Sequence, residues 1–225
     1  MSILLLIRHA VTEETGKRLI GTTPGISLSA QGEKQALRLA EWLDPVRLDA
    51  LYSSPLERCE QTAATIALGR RISVRPLADL REVEYGAWTG RSLRQVARTA
   101  LWRTVQRNPG SARFPDGESL AEVQRRGVAA LEEISNRHPR GVVGVVSHGD
   151  VIRLALAHYA GIHIDLFQRL IVGPASVSSV GLGRGSPRIL SMNDTGDVET
   201  YRARTRRRSA PGRRRNRVSG GGADS

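Results

Sequence analysis

Two histidines directly follow two apolar segments of the chain. Residues 3–7 are a continuous run of Ile and Leu, followed by Arg8 and His9; residues 142–146 are mostly Val and are followed, after one serine, by His148. Short continuous apolar runs are typical of strands buried on both faces. Ligands of open parallel sheets bind beyond the carboxyl ends of the strands. If these two strands are neighbours, both imidazoles face one crevice.

A further cation, Arg58, follows another short predicted strand, residues 49–53. Residues 54–57, Ser-Pro-Leu-Glu, have the pattern of a capping box with proline at the first helical position, which predicts a helix start. Arg58 then lies in the first helical turn, where free N–H groups favour an anion and a guanidinium fork suits phosphate. The alternative is a solvated helix residue that pairs with Glu57 or Gln61.

Two arginines and two histidines together predict a pocket for a dianion. The sequence has no P-loop and no G-x-S-x-G elbow, and the pocket lacks the carboxylates that surround magnesium. Zinc on His9 and His148 would lack a third ligand at suitable spacing, and Arg8 would repel it. We therefore expect no metal or cofactor. A neutral imidazole nitrogen could attack a phosphoryl group, since neighbouring arginines disfavour the protonated ring.

A leaving alkoxide needs a proton, and the best donor lies in residues 81–86, Arg-Glu-Val-Glu-Tyr-Gly. A carboxyl group next to a bound phosphate has a raised pKa because of like-charge repulsion, which suits a general acid. The segment holds two carboxylates, Glu82 and Glu84, and the local pattern does not choose between them. Considered alone, Glu82 would be interpreted as a surface carboxylate.

The elements that position these residues alternate between strands and helices. Ser29 is a predicted N-cap before a stripe of Leu37, Ala40 and Leu43, and residues 92–104 are predicted to be helical. Ser119 opens a second capping box, with a helix to about residue 137, and Asp150 could cap the following helix. This alternation predicts an α/β fold, a three-layer α/β/α sandwich with a mainly parallel sheet.

Composition fits a globular chain of 225 residues, 40% apolar and 25% charged. No run of 18 apolar residues occurs, so we expect no membrane insertion. The first residues lack the features of a secretory signal. Cys59 is the single cysteine, which excludes an internal disulfide and favours a cytoplasmic location.

The net charge of +12 is concentrated near the end of the sequence. Nine arginines and no acid lie between residues 202 and 217, whereas residues 1–200 carry about +4. We therefore predict a domain over residues 1–200 and a disordered arginine-rich tail over 201–225. The tail could make a weak contact with a polyanion such as nucleic acid or an anionic membrane surface, or be a solvated extension.

Five segments in order carry a family resemblance: LIRHA at 6–10, SSPLERC at 53–59, RE at 81–82 with YGAWTG at 85–90, FPDGES at 114–119, and SHG at 147–149. Over residues 3–200 the chain resembles the histidine phosphatase superfamily, the phosphoglycerate-mutase-like proteins. Residues 100–105 and 193–196 resemble a branch labelled as phosphomutases. The resemblance implies the phosphoglycerate-mutase-like fold and no metal.

The resemblance also implies roles for individual residues. His9 would become the phosphohistidine, and Glu82 would protonate the leaving oxygen and then activate water. Glu82 is chosen over Glu84 because the acid of the family stands four residues before the glycine matched by Gly86. The residues that would hold the phosphoryl oxygens are Arg8, Arg58 and His148.

Two positions depart from the family pattern: Ala10 replaces a usual glycine, and Thr15 stands where asparagine is frequent. A threonine hydroxyl can still donate a hydrogen bond to phosphate. Gly21 and Thr22 would line the pocket by analogy.

The expected function is hydrolysis of a small phosphorylated metabolite through a phosphohistidine. A phosphoglycerate-mutase-type phosphomutase is the alternative, because hydrolase and mutase differ in how water reaches the intermediate. A non-catalytic polyanion-binding module is a remote third. The sequence names neither the substrate nor the oligomeric state.

Overall fold

One six-stranded sheet forms the centre of the molecule. In this computed structural model, which describes residues 1–196, the strand order is β3-β2-β4-β1-β5-β6. The strands are β1 (Ser2–Arg8), β2 (Ala50–Ser53), β3 (Val74–Pro76), β4 (Val142–Ser147), β5 (Val177–Leu182) and β6 (Arg188–Asp194). The first four are parallel to one another, whereas β5 runs antiparallel to β1 and to β6. The prediction of a mainly parallel sheet is confirmed.

Helices cover both faces of this sheet. They are α1 (Ala30–Leu43), α2 (Glu57–Ala67), α3 (Leu93–Val96), α4 (Ala100–Arg107), α5 (Leu120–Arg137) and α6 (Gly149–Tyr159). Short 3-10 turns occupy residues 78–80, 86–88, 109–111 and 164–169.

The side chains of β1 point alternately into two apolar layers, one on each face of the sheet, since successive strand side chains point to opposite faces. Leu4 and Leu6 pack in one buried cluster with residues of α5 and α6. Leu5 and Ile7 pack in another with residues of α1 and α2. The predicted three-layer sandwich is therefore confirmed. A third buried cluster joins the long connection between β3 and α5 to helix α6.

The start of α2 differs from the prediction. The helix begins at Glu57, its N-cap residue is Leu56, and no side chain caps it, so the predicted capping box at residues 54–57 is wrong. The reason is tertiary, because the Ser54 hydroxyl accepts a hydrogen bond from Nε2 of His148 at 2.9 Å. Arg58 still lies in the first turn.

Other helix predictions are partly right. Ser29 and Ser119 are N-caps as predicted, the latter in a complete capping box. Leu43 of the predicted stripe is buried, but Leu37 is 50% exposed, because the buried face of α1 otherwise runs through Ala36 and Leu39.

The predicted helix at residues 92–104 is two helices, α3 and α4. The break occurs at Thr99, whose hydroxyl accepts the Trp102 N–H at 3.1 Å and so starts a new helix. Asp150 is not the cap of α6 but lies inside its first turn, since the N-cap position belongs to His148.

Residues 1–195 form one compact unit. Within the described residues, no helix is long and apolar enough to cross a bilayer. The predicted boundary at residue 200 and the arginine-rich tail lie outside the described residues.

Candidate active site

His9 and His148 lie side by side because their strands are neighbours. In the parallel pairing of β1 with β4, Arg8 is opposite Ser147, and each histidine is the next residue. The His9 N–H donates to the Ser147 carbonyl at 3.0 Å. The ring centroids are 5.2 Å apart at an interplanar angle of 62°. Both imidazoles therefore share one crevice at the carboxyl ends of the strands.

The tautomer of His9 follows from its hydrogen bond. Nδ1 lies 2.7 Å from the Ala10 carbonyl, which can only accept, so Nδ1 carries the proton of the neutral ring. Nε2 then holds a free lone pair. Burial, Arg58 and Arg8 lower the pKa of His9 to about 3, so the ring is neutral at pH 7. A neutral ring with an available Nε2 is the form in which histidine is a nucleophile.

Two guanidinium groups carry buried N–H donors that have no hydrogen-bond partner among the described residues. Arg58 is fully buried, and its Nη2 donates to the Gly21 carbonyl at 2.8 Å, but its Nε and Nη1 have no partner among residues 1–196. Arg8 donates through Nη1 to the Val172 carbonyl at 2.7 Å, and its Nε is likewise unpaired. Unpaired buried donors are costly, so these groups favour an anionic ligand. The alternative of a solvated Arg58 is wrong.

His148 is a second neutral, fully buried imidazole. Nη2 of Arg58 donates to its Nδ1 at 3.3 Å, so Nε2 carries the proton and donates to Ser54. Burial and the charge of Arg58 hold the pKa of His148 well below its usual range. The following residue packs tightly, since a Cβ on Gly149 would lie 3.2 Å from Cζ of Arg8 and the guanidinium would have to shift. The SHG segment therefore packs against the arginine of the other strand.

Glu82 has the proton affinity of an acid catalyst. Its Oε1 accepts the Val83 N–H at 3.0 Å, and its Oε2 lies 3.8 Å from Nδ1 of His148. Burial and the charge of Asp150 raise the pKa of Glu82 to about 7, so it holds its proton through weakly acidic pH. Glu84 is exposed and does not line the cavity described below.

The segment that carries Glu82 is held by Arg126 of α5. Nη1 of Arg126 donates to the carbonyls of residues 79 and 81, both at 2.8 Å, and Nη2 donates to that of Glu82 at 3.0 Å. Nε and Nη2 also bind the Glu118 carboxylate at 2.8 and 2.9 Å. Oε2 of Glu118 accepts the Glu84 N–H at 3.0 Å. Sequence reasoning missed Arg126, because these partners are up to 47 residues away and no local pattern marks it.

Gly86 lets this segment pack against residues 114–118. Its φ is +51°, and a Cβ there would lie 2.0 Å from the Pro115 carbonyl oxygen. The Ala87 N–H donates to that same oxygen at 2.8 Å. Two of the segments that carry the family resemblance therefore form one backbone-to-backbone contact that fixes the Glu82 loop.

Several of these groups line one cavity of about 180 Å³. Of the predicted residues, Arg8, His9, Thr15, Gly21, Arg58 and Glu82 line it. Thr15 is engaged within its own loop, since its Oγ1 accepts the Thr12 N–H at 2.9 Å. His148 and Thr22 are not among the lining residues, and their roles stay predictions. Sequence reasoning did not assign the other ten lining residues to the site, among them Tyr85, Asp150 and Arg153.

No group of three or more His, Cys, Asp or Glu side chains within residues 1–196 is arranged to hold a metal ion. What the arrangement offers chemically is a nucleophilic nitrogen, a carboxyl proton donor and unpaired cationic donors around one small cavity. That combination fits transfer of a phosphoryl group.

Solved structures and curated proteins resemble this chain over most of its length. Bacillus stearothermophilus YhfR superposes with a TM-score of 0.82 at 26% identity, covering 86% of this chain and 98% of that one. Phosphoserine phosphatase 1 of Hydrogenobacter thermophilus is 33% identical over 197 residues, 85% of this chain and 92% of the relative. Phosphoglycerate mutase-like protein 4 of Arabidopsis thaliana is 31% identical over 155 residues, 67% of each.

A family model described as "Histidine phosphatase superfamily (branch 1)" matches residues 4–195, nearly the whole described chain. The predicted resemblance is thereby confirmed, and the match ends before the arginine-rich segment. The chain belongs to the histidine phosphatase superfamily, branch 1.

Proposed function

We propose that the protein hydrolyses a small phosphomonoester through a phosphohistidine on His9. The observation that carries this proposal is the position of a neutral His9 beside the unpaired buried N–H groups of Arg8 and Arg58. The arginines neutralise phosphate charge and also keep the nucleophile unprotonated. A relative named as a phosphoserine phosphatase supports the same class of reaction.

The reaction has two balanced steps. In the first, Nε2 of His9 attacks phosphorus, the bond from phosphorus to the ester oxygen breaks, and the Glu82 carboxyl gives its proton to that oxygen. In the second, a water oxygen attacks phosphorus, the bond from phosphorus to Nε2 of His9 breaks, the Glu82 carboxylate takes a proton from the water, and inorganic phosphate leaves. Arg8 and Arg58 hold the phosphoryl oxygens in both steps, His148 joins them by turning its Nε2–H from Ser54 to an oxygen, and His9 returns to its neutral form.

A phosphomutase is the second candidate, favoured by the phosphoglycerate-mutase-like relative. The experiment offers p-nitrophenyl phosphate and 3-phosphoglycerate separately, in buffer without added metal. Phosphate release from the first without isomerisation of the second supports the hydrolase. Isomerisation of 3-phosphoglycerate without phosphate release would replace it with the mutase. Inactivity on both would contradict both.

Two further expectations accompany this proposal. The reaction is proposed to take place in the cytoplasm, because a chain with a single cysteine forms no internal disulfide and suits a reducing compartment. Residues 201–225 are proposed to be a solvated extension that takes no part in the chemistry, with a weak polyanion contact as the alternative.

A further inference from the structure

A second and larger cavity, of about 360 Å³, adjoins the phosphate cavity. The two share five lining residues: Leu19, Tyr85, Leu93, Asp150 and Arg153. An ester with its phosphorus at His9 would therefore pass its organic part between these side chains into the second cavity. This volume lies within the range of about 300–1,000 Å³ typical of small-molecule sites.

The walls of the second cavity are mainly aromatic and aliphatic. Beyond the shared residues they include Trp102, Val105, Phe114, Leu120 and Phe167. Two glutamines, Gln106 and Gln168, add polar atoms, and the amide of Gln168 already donates to the Val105 carbonyl at 3.3 Å. Burial of an apolar group against such walls is favourable in proportion to the area removed from water.

The polar groups at the junction of the cavities satisfy one another. Oδ1 of Asp150 lies 3.1 Å from Nη1 of Arg153, and Oδ2 accepts the Tyr85 hydroxyl at 3.2 Å. The Asp150 carboxylate is therefore already paired and is a poor site for a substrate ammonium group. Nε of Arg153 is buried and has no hydrogen-bond partner within residues 1–196. It can donate to one acceptor atom of a ligand.

We infer that the second cavity holds the leaving group, and that the preferred substrate is the phosphate ester of an alcohol bearing a large apolar ring. This inference rests on the proposed function. The ring occupies the space beside Trp102 and Phe167, and an ether, carbonyl or hydroxyl oxygen near the ester accepts from Nε of Arg153. A serine-sized leaving group would leave most of the cavity unfilled.

The substrate test compares esters of primary alcohols, whose leaving groups have similar intrinsic reactivity. The wild-type protein is assayed with 2-(1-naphthyl)ethyl phosphate, ethyl phosphate and O-phosphoserine. We expect kcat/KM for the naphthylethyl ester to exceed the other two by at least about tenfold, mainly through KM. Equal values, or a preference for phosphoserine, would overturn the inference.

A pair of variants at neighbouring residues tests whether the leaving group binds in the second cavity. Trp102 and Leu101 are both partly buried on α4, but only Trp102 lines the cavity. Trp102→Ala should lower kcat/KM for the naphthylethyl ester by at least about tenfold and leave that for ethyl phosphate within about twofold. Leu101→Ala should leave the ratio of the two kcat/KM values unchanged. An equal loss on both esters in Trp102→Ala, with thermal unfolding unchanged, would contradict the assignment.

Leu93→Asn provides a second route should Trp102→Ala fail to fold. Leu93 lies at the junction of the cavities, so a polar side chain there should reduce the ratio of kcat/KM for the naphthylethyl ester to that for ethyl phosphate. An unchanged ratio in a folded Leu93→Asn protein would count against the inference. Hydrolysis of ethyl phosphate with a kcat/KM similar to that of the naphthylethyl ester refutes this inference alone. If none of the esters is hydrolysed, the proposed function and the inference are refuted together.

Discussion

The His9 ring meets the His148 ring at 5.2 Å because Arg8 and Ser147, the residues before them, are opposite each other in two neighbouring parallel strands. One imidazole is free at Nε2, and the other is held on both nitrogens by Arg58 and Ser54. The two histidines are therefore not equivalent. His9 has a lone pair available for phosphorus, whereas His148 can bind a phosphoryl oxygen only if its Nε2–H leaves Ser54.

His9→Gln should abolish the covalent intermediate and lower kcat on the order of a thousandfold or more, because glutamine has no nucleophilic nitrogen. Rapid quench with a ³²P-labelled ester should trap an acid-labile, base-stable adduct in the wild type only. The control is His158→Gln, which changes an exposed histidine of α6. A labelled adduct that survives in His9→Gln would remove the basis of the mechanism.

Glu82→Gln should separate the two chemical steps. With ethyl phosphate, loss of the proton donor should slow phosphorylation by roughly 10²–10⁴-fold. With p-nitrophenyl phosphate the leaving group needs no proton, so His9 is still phosphorylated, while hydrolysis of the intermediate lacks its base. Stopped-flow measurements should therefore show one burst of p-nitrophenolate per active site, followed by slow turnover. Unchanged steady turnover of either ester would contradict the role of Glu82; Glu84→Gln is the matched control.

The pH dependence of kcat/KM should reflect the raised pKa of Glu82. Because that pKa is about 7 and the protonated carboxyl is the active form, kcat/KM for ethyl phosphate should fall as pH rises above 7. In Glu82→Gln this alkaline decline should be absent. A wild-type profile that stays flat from pH 6 to pH 9 would show that another group supplies the proton.

The buried neutral His9 should make the protein sensitive to acid. Its pKa is 6.5 in the unfolded chain and about 3 in the folded one, so between these values the unfolded chain binds a proton that the folded chain does not. The free energy of unfolding therefore decreases as pH falls below 6.5. Urea unfolding at pH 7.5 and pH 5 should show that His9→Gln gains stability relative to the wild type at the lower pH. A constant difference between the two proteins would refute this linkage.

Arg126→Met should impair proton transfer more than phosphate binding, because Arg126 holds the backbone of the Glu82 loop. We expect kcat for ethyl phosphate to fall by roughly 10–100-fold, with a much smaller effect on the p-nitrophenolate burst. Arg125→Met is the matched control, since Arg125 is the exposed neighbour on α5. Equal losses on both esters would indicate a merely structural role for Arg126.

Local sequence patterns were sufficient to find the two histidines and Arg58. His9 and His148 are marked by the buried strands that precede them, and Arg58 by its place after a strand and at the start of a helix. The choice of Glu82 over Glu84 came from the resemblance alone, and the structure places Glu82 against the cavity and Glu84 in solvent. These features depend on residues within about ten positions of one another, a distance over which strand and helix patterns are readable.

Tertiary structure decided the features that depend on residues far apart in sequence. The start of α2 shifted because Ser54 binds His148, 94 residues away. Arg126 and Glu118 became parts of the site only when α5 packed against the Glu82 loop. The second cavity combines residues from 19 to 168. A hydrophobic pattern shows which side chains are buried but not which neighbours they meet, because contact between distant segments is set by how the layers pack.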